Sequence, residues 1–539
     1  MRFQTIVCVG ALAVAAAYAQ PLPHLEKRGQ ATQLMVDGKP FLMLAGELNN
    51  TISSDPESMR AVWPALARRG HLNTVLTGVA WSWIEPAEGK YDFRFVDEAI
   101  RGAQQADLRL VLLWFGSWKN ALSSFAPVWV KADQERFPRA QVRNGKTLEI
   151  LSTLSENNRK ADERAFAALM RHVRETDSTR RVIMVQVENE VGLLGDSRDR
   201  SAAANQAFAG AVPGAVLDRL KASGQALKPG TWAEVFGGGQ TADETFMAWN
   251  YARYMNAVAE AGKREYDIPM YVNAWLVQPR DMNPGDYPSG GPQAHMHEIW
   301  RAAAPRIDLL CPDIYVPEFT EVTAEYARIG GPLFVPESFD GSTGAANAFY
   351  AIGAHAGLGY SPFAIDRLAE GSGFETSPMT AAYEVLGQLA PAILEHQSKG
   401  TIAAVSLDKK RPEQRIELGG YALTTGLIHD FFGFSEDQPD VPAYGIFMAT
   451  GPDEFLMAGD NLQISFTPTT AGPPIASVAL QEAGRFENGK WVVTRLLGGD
   501  DSVLRYDFAK IAEEGQSGSG VRLRSPGQSI QKVKLYRYR

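Results

Sequence analysis

Eight short apolar runs, separated by longer stretches of helical periodicity, are the feature of this 539-residue chain that most restricts its fold. The runs show little polar alternation, which indicates strands covered on both faces. Helix signals lie between them; Asp55 can cap a helix, Pro56 fits its first position and Gly70 fits just past its end. We predict a parallel (β/α)8 TIM barrel, with strands in FLMLAGELN (41–49), LNTVLTGVAW (72–81), RLVLLWFGSW (109–118), VIMVQVENE (182–190), PMYVNAWL (269–276), IDLLCPDIYV (307–316), PLFVPES (332–338) and GYSPFAI (359–365).

The sequence pattern changes after about residue 400, where short segments of alternating apolar and polar residues are separated by Gly, Pro and Asp. This pattern predicts an antiparallel, sandwich-like β-domain over residues 397–539, following a barrel over residues 20–396. A doubly wound open sheet is the alternative for the first part. It usually carries a glycine-rich phosphate turn after an early strand, and AGELNN (45–50) has none.

The first nineteen residues predict a secretory signal peptide, because a short apolar segment ends in the small-residue site Ala17-Tyr18-Ala19. We expect a secreted protein, periplasmic, that makes no membrane contact after the signal is removed. Removal also takes Cys8 and leaves Cys311, so no internal disulfide is expected. The sequence leaves open whether the chain forms a homo-oligomer.

A net charge of -9 and a pI near 5.6 argue against nucleic acid as a partner. Phosphate neutralisation needs clustered Lys and Arg, and the sequence has no such cluster. A neutral or mildly polar ligand fits better.

Polar and aromatic residues end several of the predicted strands, where a barrel of this kind gathers its chemistry. Carboxylates and amides can bond sugar hydroxyls, and flat rings can stack on the C–H faces of a pyranose, so this composition indicates a sugar site. The residues are Glu47, Asn49, Asn50, Trp114, Trp118, Lys119, Asn120, Glu188, Asn189, Glu190, Asn273, Trp275, Asp313, Tyr315 and Glu337.

Glycoside hydrolysis needs one protonated and one ionised carboxyl group, and strands four and seven stand roughly across an eight-stranded ring. Glutamates therefore end two strands that can face each other over a substrate. Strand alternation puts Glu188 and Glu190 on the same side unless the chain bends, so periodicity alone leaves the choice between them open. We favour a structural role for Glu188. For Glu190 and Glu337 the alternative is an ordinary salt bridge at the rim.

VQVENE (185–190) closely resembles the signature of family 35 glycoside hydrolases, the β-galactosidase family, and GVAWSWIEPAEGKYDF (78–93) resembles the same family's segment after strand two. The resemblance implies a retaining mechanism with Glu190 as acid/base, Glu337 as nucleophile and Asn189 bonding the 2-hydroxyl of the sugar. The implied function is an exo-acting β-galactosidase that hydrolyses terminal non-reducing galactose from oligosaccharides. The chain resembles a bacterial subgroup of the family that carries an uncharacterised C-terminal β-domain.

Further substrate contacts are predicted around this pair, without a metal or a cofactor. Tyr315 is the candidate hydrogen-bond donor to Glu337, and Glu47 could bind a pair of hydroxyls. Rim stacking is the alternative for Tyr315, and core packing for the aromatic candidates. Asn120 and Asn273 are the other hydroxyl ligands, and Trp118 and Trp275 the other sugar platforms.

The chain also departs from the family pattern, since Val191 follows ENE and WFGSWKN (114–120) stands where an Ala-Glu pair is usual. The alternatives are therefore another retaining β-glycosidase, for β-glucosides or α-L-arabinopyranosides, or a non-catalytic carbohydrate-binding protein. His295 and His297 in HMHE could suggest zinc, but their spacing points them apart.

Overall fold

The computed structural model describes residues 21–428, 441–503, 518–524 and 529–539, so the predicted signal peptide lies outside the described residues. The first described elements form a small antiparallel sheet. Its residues Leu34 and Val36 pack into the same apolar cluster as barrel residues Met43 and Leu76, so this sheet closes one end of the barrel interior. Its strands are His24–Arg28, Ala31–Val36 and Lys39–Phe41.

Eight parallel strands then close into a barrel in chain order, which confirms the predicted (β/α)8 architecture. Each strand falls within one of the eight predicted apolar segments, and nearly all of their residues are buried. Barrel strands 1 to 8 are Met43–Glu47, Thr74–Ala80, Arg109–Phe115, Val182–Val187, Met270–Trp275, Leu309–Ile314, Val335–Ser338 and Gly359–Pro362.

Helices surround the barrel and connect its strands. The one predicted from its caps begins at Pro56, with the Asp55 carboxylate accepting from the backbone N–H of Ser58 at 3.2 Å. The longer helices of the barrel are Pro56–Arg68, Arg94–Ala106, Glu156–Thr176, Gly214–Ala222, Gly239–Glu265, Phe319–Ile329, Gly341–Ala354 and Pro378–Lys399. The shorter ones are Trp81–Ile84, Val128–Ala132, Ala202–Phe208, Trp232–Phe236, His297–Ala303 and Gly373–Thr376, and Arg139–Gln141 pairs with Thr147–Leu151 as a hairpin. No helix in the described ranges is long and apolar enough to cross a bilayer.

Two antiparallel sheets follow the last barrel helix and form the predicted β-domain. The six-stranded sheet has the order Ile402–Leu407, Ala443–Gly451, Glu454–Asp460, Ile530–Tyr538, Ile475–Glu487 and Lys490–Leu496. The five-stranded sheet has the order Glu413–Leu418, Tyr421–Leu427, Leu462–Pro468, Gly520–Leu523 and Ser502–Val503.

The six-stranded sheet joins the β-domain to the barrel because its two faces carry different apolar residues. Ile446 and Met448 pack into the large cluster of the barrel, whereas Phe447 packs into the cluster between the sheets. Gly353, on the small-residue helix after strand 7, allows the close approach, since an added Cβ would stand 2.6 Å from that of Ala404. One apolar cluster therefore extends from the barrel into the β-domain, and the cluster between the two sheets is separate from it.

Candidate active site

The chain leaves barrel strand 4 at Val187 and bends sharply through the next three residues. Glu188 and Glu190 have φ angles of 61° and 48°, in the left-handed region that residues other than glycine rarely adopt. Strand alternation therefore ends before the ENE segment. The two glutamates separate into different environments, and the question left open by periodicity is answered by the bend.

Glu188 points into a sealed cluster beneath the mouth, with none of its surface exposed. Its two carboxyl oxygens accept the backbone N–H groups of Ser117 at 3.0 Å and Trp118 at 2.7 Å. Burial and the neighbouring charge of Asp162 raise the pKa of Glu188 well above its ordinary value. The side chain thus holds the loop after strand 3 in place, which is the structural role favoured from sequence.

Asp162 completes this sealed cluster from the helix Glu156–Thr176, and it shares a hydrogen bond with Glu188. It accepts from Trp114 Nε1 at 2.9 Å and from the Ser117 hydroxyl at 2.5 Å. Gly116 makes the arrangement possible, because a Cβ at this position would lie 2.4 Å from Glu188 Oε1. Nothing in the sequence pattern singles out Asp162, which lies on an amphipathic helix.

Glu190 turns the other way, into the mouth formed by the carboxyl ends of the strands, where it is 8% exposed. Its backbone N–H donates to Asn273 Oδ1 at 3.0 Å, and Asn273 Nδ2 donates to Asp313 Oδ2 at 2.6 Å. The Asp313 carboxyl lies near that of Glu190 and influences its pKa, and Asp313 Oδ1 is buried without a partner among the described residues. Strand 5 therefore holds the backbone of Glu190, and strand 6 places a second carboxyl group near its side chain.

Burial, followed by the negative charge of Glu337, raises the pKa of Glu190 to about 7. Burial also raises the pKa of Asp313 well above its ordinary value, with further contributions from the charges of Glu337 and Glu190. The charge of Glu337 thus favours the protonated forms of both side chains. Glu190 is left with a pKa suited to giving and taking a proton near neutral pH.

Glu337 ends barrel strand 7 in the same mouth and is 9% exposed. The Tyr315 hydroxyl donates to its Oε1 at 2.9 Å, the contact predicted from sequence. Burial raises the pKa of Glu337 above its ordinary value, but the Lys119 ammonium and the Tyr315 hydrogen bond both lower it. These two neighbours favour the ionised form of Glu337.

Lys119 brings a cation into the mouth from the loop after strand 3. Its Nζ donates to Asn189 Oδ1 at 3.0 Å and lies 5.0 Å from the centre of the Phe115 ring. Its charge lowers the pKa values of Glu47, Glu190 and Glu337. Lys119 and Asp313 stand at the ends of predicted strands, and this position was the available signal for them, although no role was predicted for either.

Asn189 lies between the two glutamates, and its Oδ1 also accepts from the backbone N–H of Asn120 at 3.2 Å. Its Nδ2 is buried without a partner among the described residues. Glu47 is likewise buried at the mouth with Oε1 unpartnered there, and burial with the charge of Glu337 raises its pKa well above the ordinary value. Unsatisfied buried polar groups in a cleft are available for a ligand.

The structure holds two predicted substrate ligands in other contacts. Trp118 is fully buried and packs edge-on against Tyr251 and Tyr254, with ring centres 5.2 and 4.7 Å away, so its ring has no exposed face for a sugar. Asn273 is 2% exposed and contacts Glu190 and Asp313 through its two polar side-chain atoms, and its bond to a sugar hydroxyl stays a prediction. Long-range packing decides both positions.

The remaining candidates lie at the rim. Trp275 is half-buried at the end of strand 5, where its carbonyl accepts a hydrogen bond from Gln293, and Asn120 is exposed in the loop after strand 3. Both stay predictions as substrate ligands. In the segment after strand 2, Glu85 accepts from Trp81 Nε1 at 2.8 Å and from the Gly89 N–H at 2.7 Å, and so closes a loop.

The two histidines of HMHE point to different places, as their spacing predicts. His295 Nε2 lies 3.0 Å from Glu244 Oε2, whereas His297 is buried with Nε2 3.2 Å from the Pro292 carbonyl. Within the described ranges, no group of three or more His, Cys, Asp or Glu side chains is placed to hold a metal ion.

Two family models match the sequence. The model of glycoside hydrolase family 42, described as beta-galactosidase, matches residues 57–237, a stretch that contains Glu190. A model described as a domain of unknown function, DUF5597, matches residues 379–508, in the last barrel helix and the β-domain. The sequence is thus similar to β-galactosidases, and the glycoside hydrolase model that matches it is that of family 42.

Curated relatives agree with this similarity over part of the chain. The beta-galactosidase of Xanthomonas manihotis is 29% identical over 201 residues, which cover 35% of this chain and 30% of that protein. Beta-galactosidase 11 of Arabidopsis thaliana is 26% identical over 174 residues, which cover 30% of this chain and 18% of that protein. The chain therefore spans less than a third of the length of these relatives.

Solved structures with a similar fold include two beta-galactosidases. The enzyme from Bacillus circulans sp. alkalophilus has a TM-score of 0.47 at 14% identity, with 66% of this chain and 57% of that chain covered. The enzyme from the psychrophilic Marinomonas ef1 has a TM-score of 0.47 at 12% identity, with 66% and 62% covered.

Proposed function

We propose that this chain is a retaining exo-β-galactosidase that hydrolyses terminal non-reducing β-D-galactose from oligosaccharides. One observation carries the proposal: two buried glutamates, Glu190 and Glu337, end barrel strands 4 and 7 and face the same mouth. Burial and the charge of Glu337 favour a proton on Glu190, while the Lys119 charge and the Tyr315 hydrogen bond oppose the effect of burial on Glu337 and favour its ionised form. This is the division of roles that double displacement requires.

In the first step, a carboxylate oxygen of Glu337 attacks the anomeric carbon while Glu190 gives its proton to the leaving glycosidic oxygen. The C–O bond to the leaving group breaks, and a covalent glycosyl ester forms on Glu337. In the second step, Glu190 takes a proton from water, which attacks the same carbon and releases Glu337. The Tyr315 hydroxyl and the Lys119 ammonium stabilise Glu337 when it carries charge.

A retaining mechanism needs the two carboxyl groups about 5–5.5 Å apart, without space for an intervening water. The effect of the Glu337 charge on the pKa of Glu190 supports a close approach. Asn189 offers its unpartnered Nδ2 to the sugar 2-hydroxyl, and Lys119 fixes the orientation of the amide by bonding its Oδ1. Glu47 supplies a further contact to hydroxyls from strand 1.

The choice of galactose rests on the resemblance of VQVENE to family 35 and on the similarity of residues 57–237 to a beta-galactosidase model. The segment WFGSWKN (114–120) supports the alternative of another retaining β-glycosidase, because it stands where the family 35 pattern usually has an Ala-Glu pair. The non-catalytic binding protein is the weaker alternative, since both carboxyl groups are in place. Export to the periplasm remains part of the proposal through the apolar segment 1–19.

The test is hydrolysis of nitrophenyl β-galactoside, β-glucoside, β-fucoside and α-L-arabinopyranoside by the mature protein. We expect a preference for the β-galactoside, with the anomeric configuration of the first product retained by NMR. Preference for another of these sugars would keep the mechanism and replace the substrate. Binding of sugars without hydrolysis of any would favour the binding protein.

A further inference from the structure

A second cavity lies beside the mouth, between the loop after strand 5 and the helix after strand 6. Its volume is about 910 Å³, within the range of about 300–1,000 Å³ typical of ligand pockets. Its lining includes Leu276, which directly follows Trp275, and Val316, which directly follows Tyr315. We call this cavity the side groove, defined by Leu276, Val277, Tyr287, His295, Val316 and Val322.

The side groove follows the ends of strands 5 and 6, and strand 5 holds the acid/base through its backbone. The backbone of Glu190 is bonded to Asn273, on the same strand end that leads into Leu276. A general acid protonates the leaving oxygen, so the leaving group must occupy the side of the sugar on which that acid stands. A substrate chain extending from the leaving oxygen therefore meets the side groove next.

The polar wall of the side groove is built on a buried carboxylate. Glu244 is 4% exposed, and its two oxygens accept from the Tyr287 hydroxyl at 2.8 Å and from His295 Nε2 at 3.0 Å. The contact through Nε2 leaves Nδ1 available on a side chain that is 46% exposed. The histidine is thus held in place with one polar ring atom free for a ligand.

The other wall is apolar, with Leu276, Val316 and Val322 contributing aliphatic surface. At its rim, Arg280 and Glu325 lie 3.6 Å apart and compensate each other's charge. Aliphatic surface beside fixed hydrogen-bonding groups suits the C–H faces and hydroxyls of neutral sugars. Arg328 and Glu318 also line the side groove, so its Arg and Glu side chains are two of each and their charges balance.

We propose that the side groove binds the sugar units of the leaving group, so that the substrate is a neutral oligosaccharide or polysaccharide chain and not a small β-galactoside. This inference rests on the proposed function, because it takes the position of the leaving group from the role of Glu190. It adds the substrate's size and the residues that recognise its second and third units.

The experiment measures kcat/KM against chain length. The substrates are nitrophenyl β-galactoside and two series of two to four sugars that carry β-linked galactose at the non-reducing end, one built on galactose and one on glucose. We expect kcat/KM to rise at least about tenfold from the disaccharide to the tetrasaccharide in one series, as each occupied subsite adds binding to the transition state.

Two variants assign that gain to the side groove. Val316→Trp fills it and should remove most of the gain, and His295→Ala should lower kcat/KM for the tetrasaccharide about threefold to tenfold, the value of one hydrogen bond. Both should leave hydrolysis of the nitrophenyl glycoside within about twofold. His172→Ala is the matched control, because His172 also bonds a carboxylate, that of Asp97 at 2.7 Å, but on an outer helix.

The outcomes separate the two proposals. Two results overturn the side-groove inference and keep the proposed function. In both, the nitrophenyl glycoside is hydrolysed. Either kcat/KM does not rise with chain length in either series, or it rises and Val316→Trp leaves the rise intact. Absence of all hydrolysis overturns the proposed function. In that case, calorimetry tests the side groove by measuring how both tetrasaccharides bind to the Glu337→Gln variant. Weaker binding after the added change Val316→Trp supports the side groove, and unchanged or absent binding contradicts it.

Discussion

Two pairs of buried carboxyl groups, Glu188 with Asp162 and Glu190 with Glu337, differ in how many hydrogen bonds their oxygens accept. Along the chain, Asn189 alone separates Glu188 from Glu190. The sealed cluster pairs Glu188 with Asp162. The loop after strand 3 and Trp114 supply hydrogen-bond donors to this pair. In the mouth, Glu190 and Glu337 are also buried, with 8% and 9% of their surface exposed, but donors are few. Burial alone therefore does not distinguish a structural carboxylate from a reactive one.

The difference shows what makes a buried carboxyl group available for chemistry. A group whose oxygens already accept several hydrogen bonds gains little from a ligand and resists removal, because its donors would be left unpaired. A group that leaves acceptor positions open can exchange a proton or attack a substrate. The following predictions test this contrast, from the largest expected effect to the smallest.

Replacing the proposed nucleophile should abolish activity without harming the fold. Glu337→Gln should lower kcat by about 10⁴-fold or more, the usual cost of losing a group that acts covalently. The melting temperature at pH 7 should not fall, because a buried charge has been removed. Retention of more than about a hundredth of the activity on nitrophenyl β-galactoside would make another residue the nucleophile.

Removing the hydroxyl that supports Glu337 should have an intermediate effect. Tyr315→Phe deletes a hydrogen bond to a charged group, worth about 1.5–3 kcal/mol, so we expect kcat to fall at least about tenfold. The pKa of Glu337 should rise, which moves the acid limb of the pH–rate profile upward. Tyr91→Phe, at an exposed ring away from the mouth, is the control.

Replacing Glu188 in the sealed cluster should lower the stability of the protein, whereas replacing Glu337 should not. Glu188→Gln places an amide N–H₂ against the backbone N–H of Ser117 or Trp118, so the free energy of unfolding at pH 5 should fall by about 1–3 kcal/mol. Denaturant unfolding measures this change. A stability equal to the wild type would mean that these donors find other partners.

The pH dependence of that loss has a defined sign. The pKa of Glu188 is raised in the folded protein, so its contribution to stability is present below the ordinary carboxyl pKa and declines as pH rises. The variant lacks this decline. The difference in stability between wild type and Glu188→Gln should therefore shrink from pH 5 to pH 8, and a difference that grows with pH would contradict a proton on Glu188.

The smallest expected effect is a shift of the pH–rate profile. Wild-type kcat/KM should fall on the alkaline side with a pKa near 7, because Glu190 loses its proton there. It should also fall on the acid side, where Glu337 gains a proton, with a pKa above the ordinary carboxyl value. Lys119→Met should move both limbs upward by about one pH unit. Lys27→Met, an exposed charge far along the chain, is the control, and unmoved limbs would place Lys119 outside the electrostatics of the site.

All eight barrel strands and the change to an antiparallel β-domain were predictable, because strand formation here follows local apolar runs that need no knowledge of their neighbours. The positions of the polar strand ends in one mouth followed from the topology of a parallel barrel. Glu47, Lys119, Asp313, Tyr315 and Glu337 could therefore be placed there as a group.

The sequence by itself determined the barrel and the two strand ends that carry Glu190 and Glu337, since both depend on residues close together in the chain. Tertiary structure alone decided which glutamate of ENE enters the mouth, because that depends on left-handed backbone angles at Glu188 and Glu190. It also decided that Trp118 packs against Tyr254, 136 positions later by their residue numbers. Such contacts join distant segments, and no local pattern of polarity specifies them.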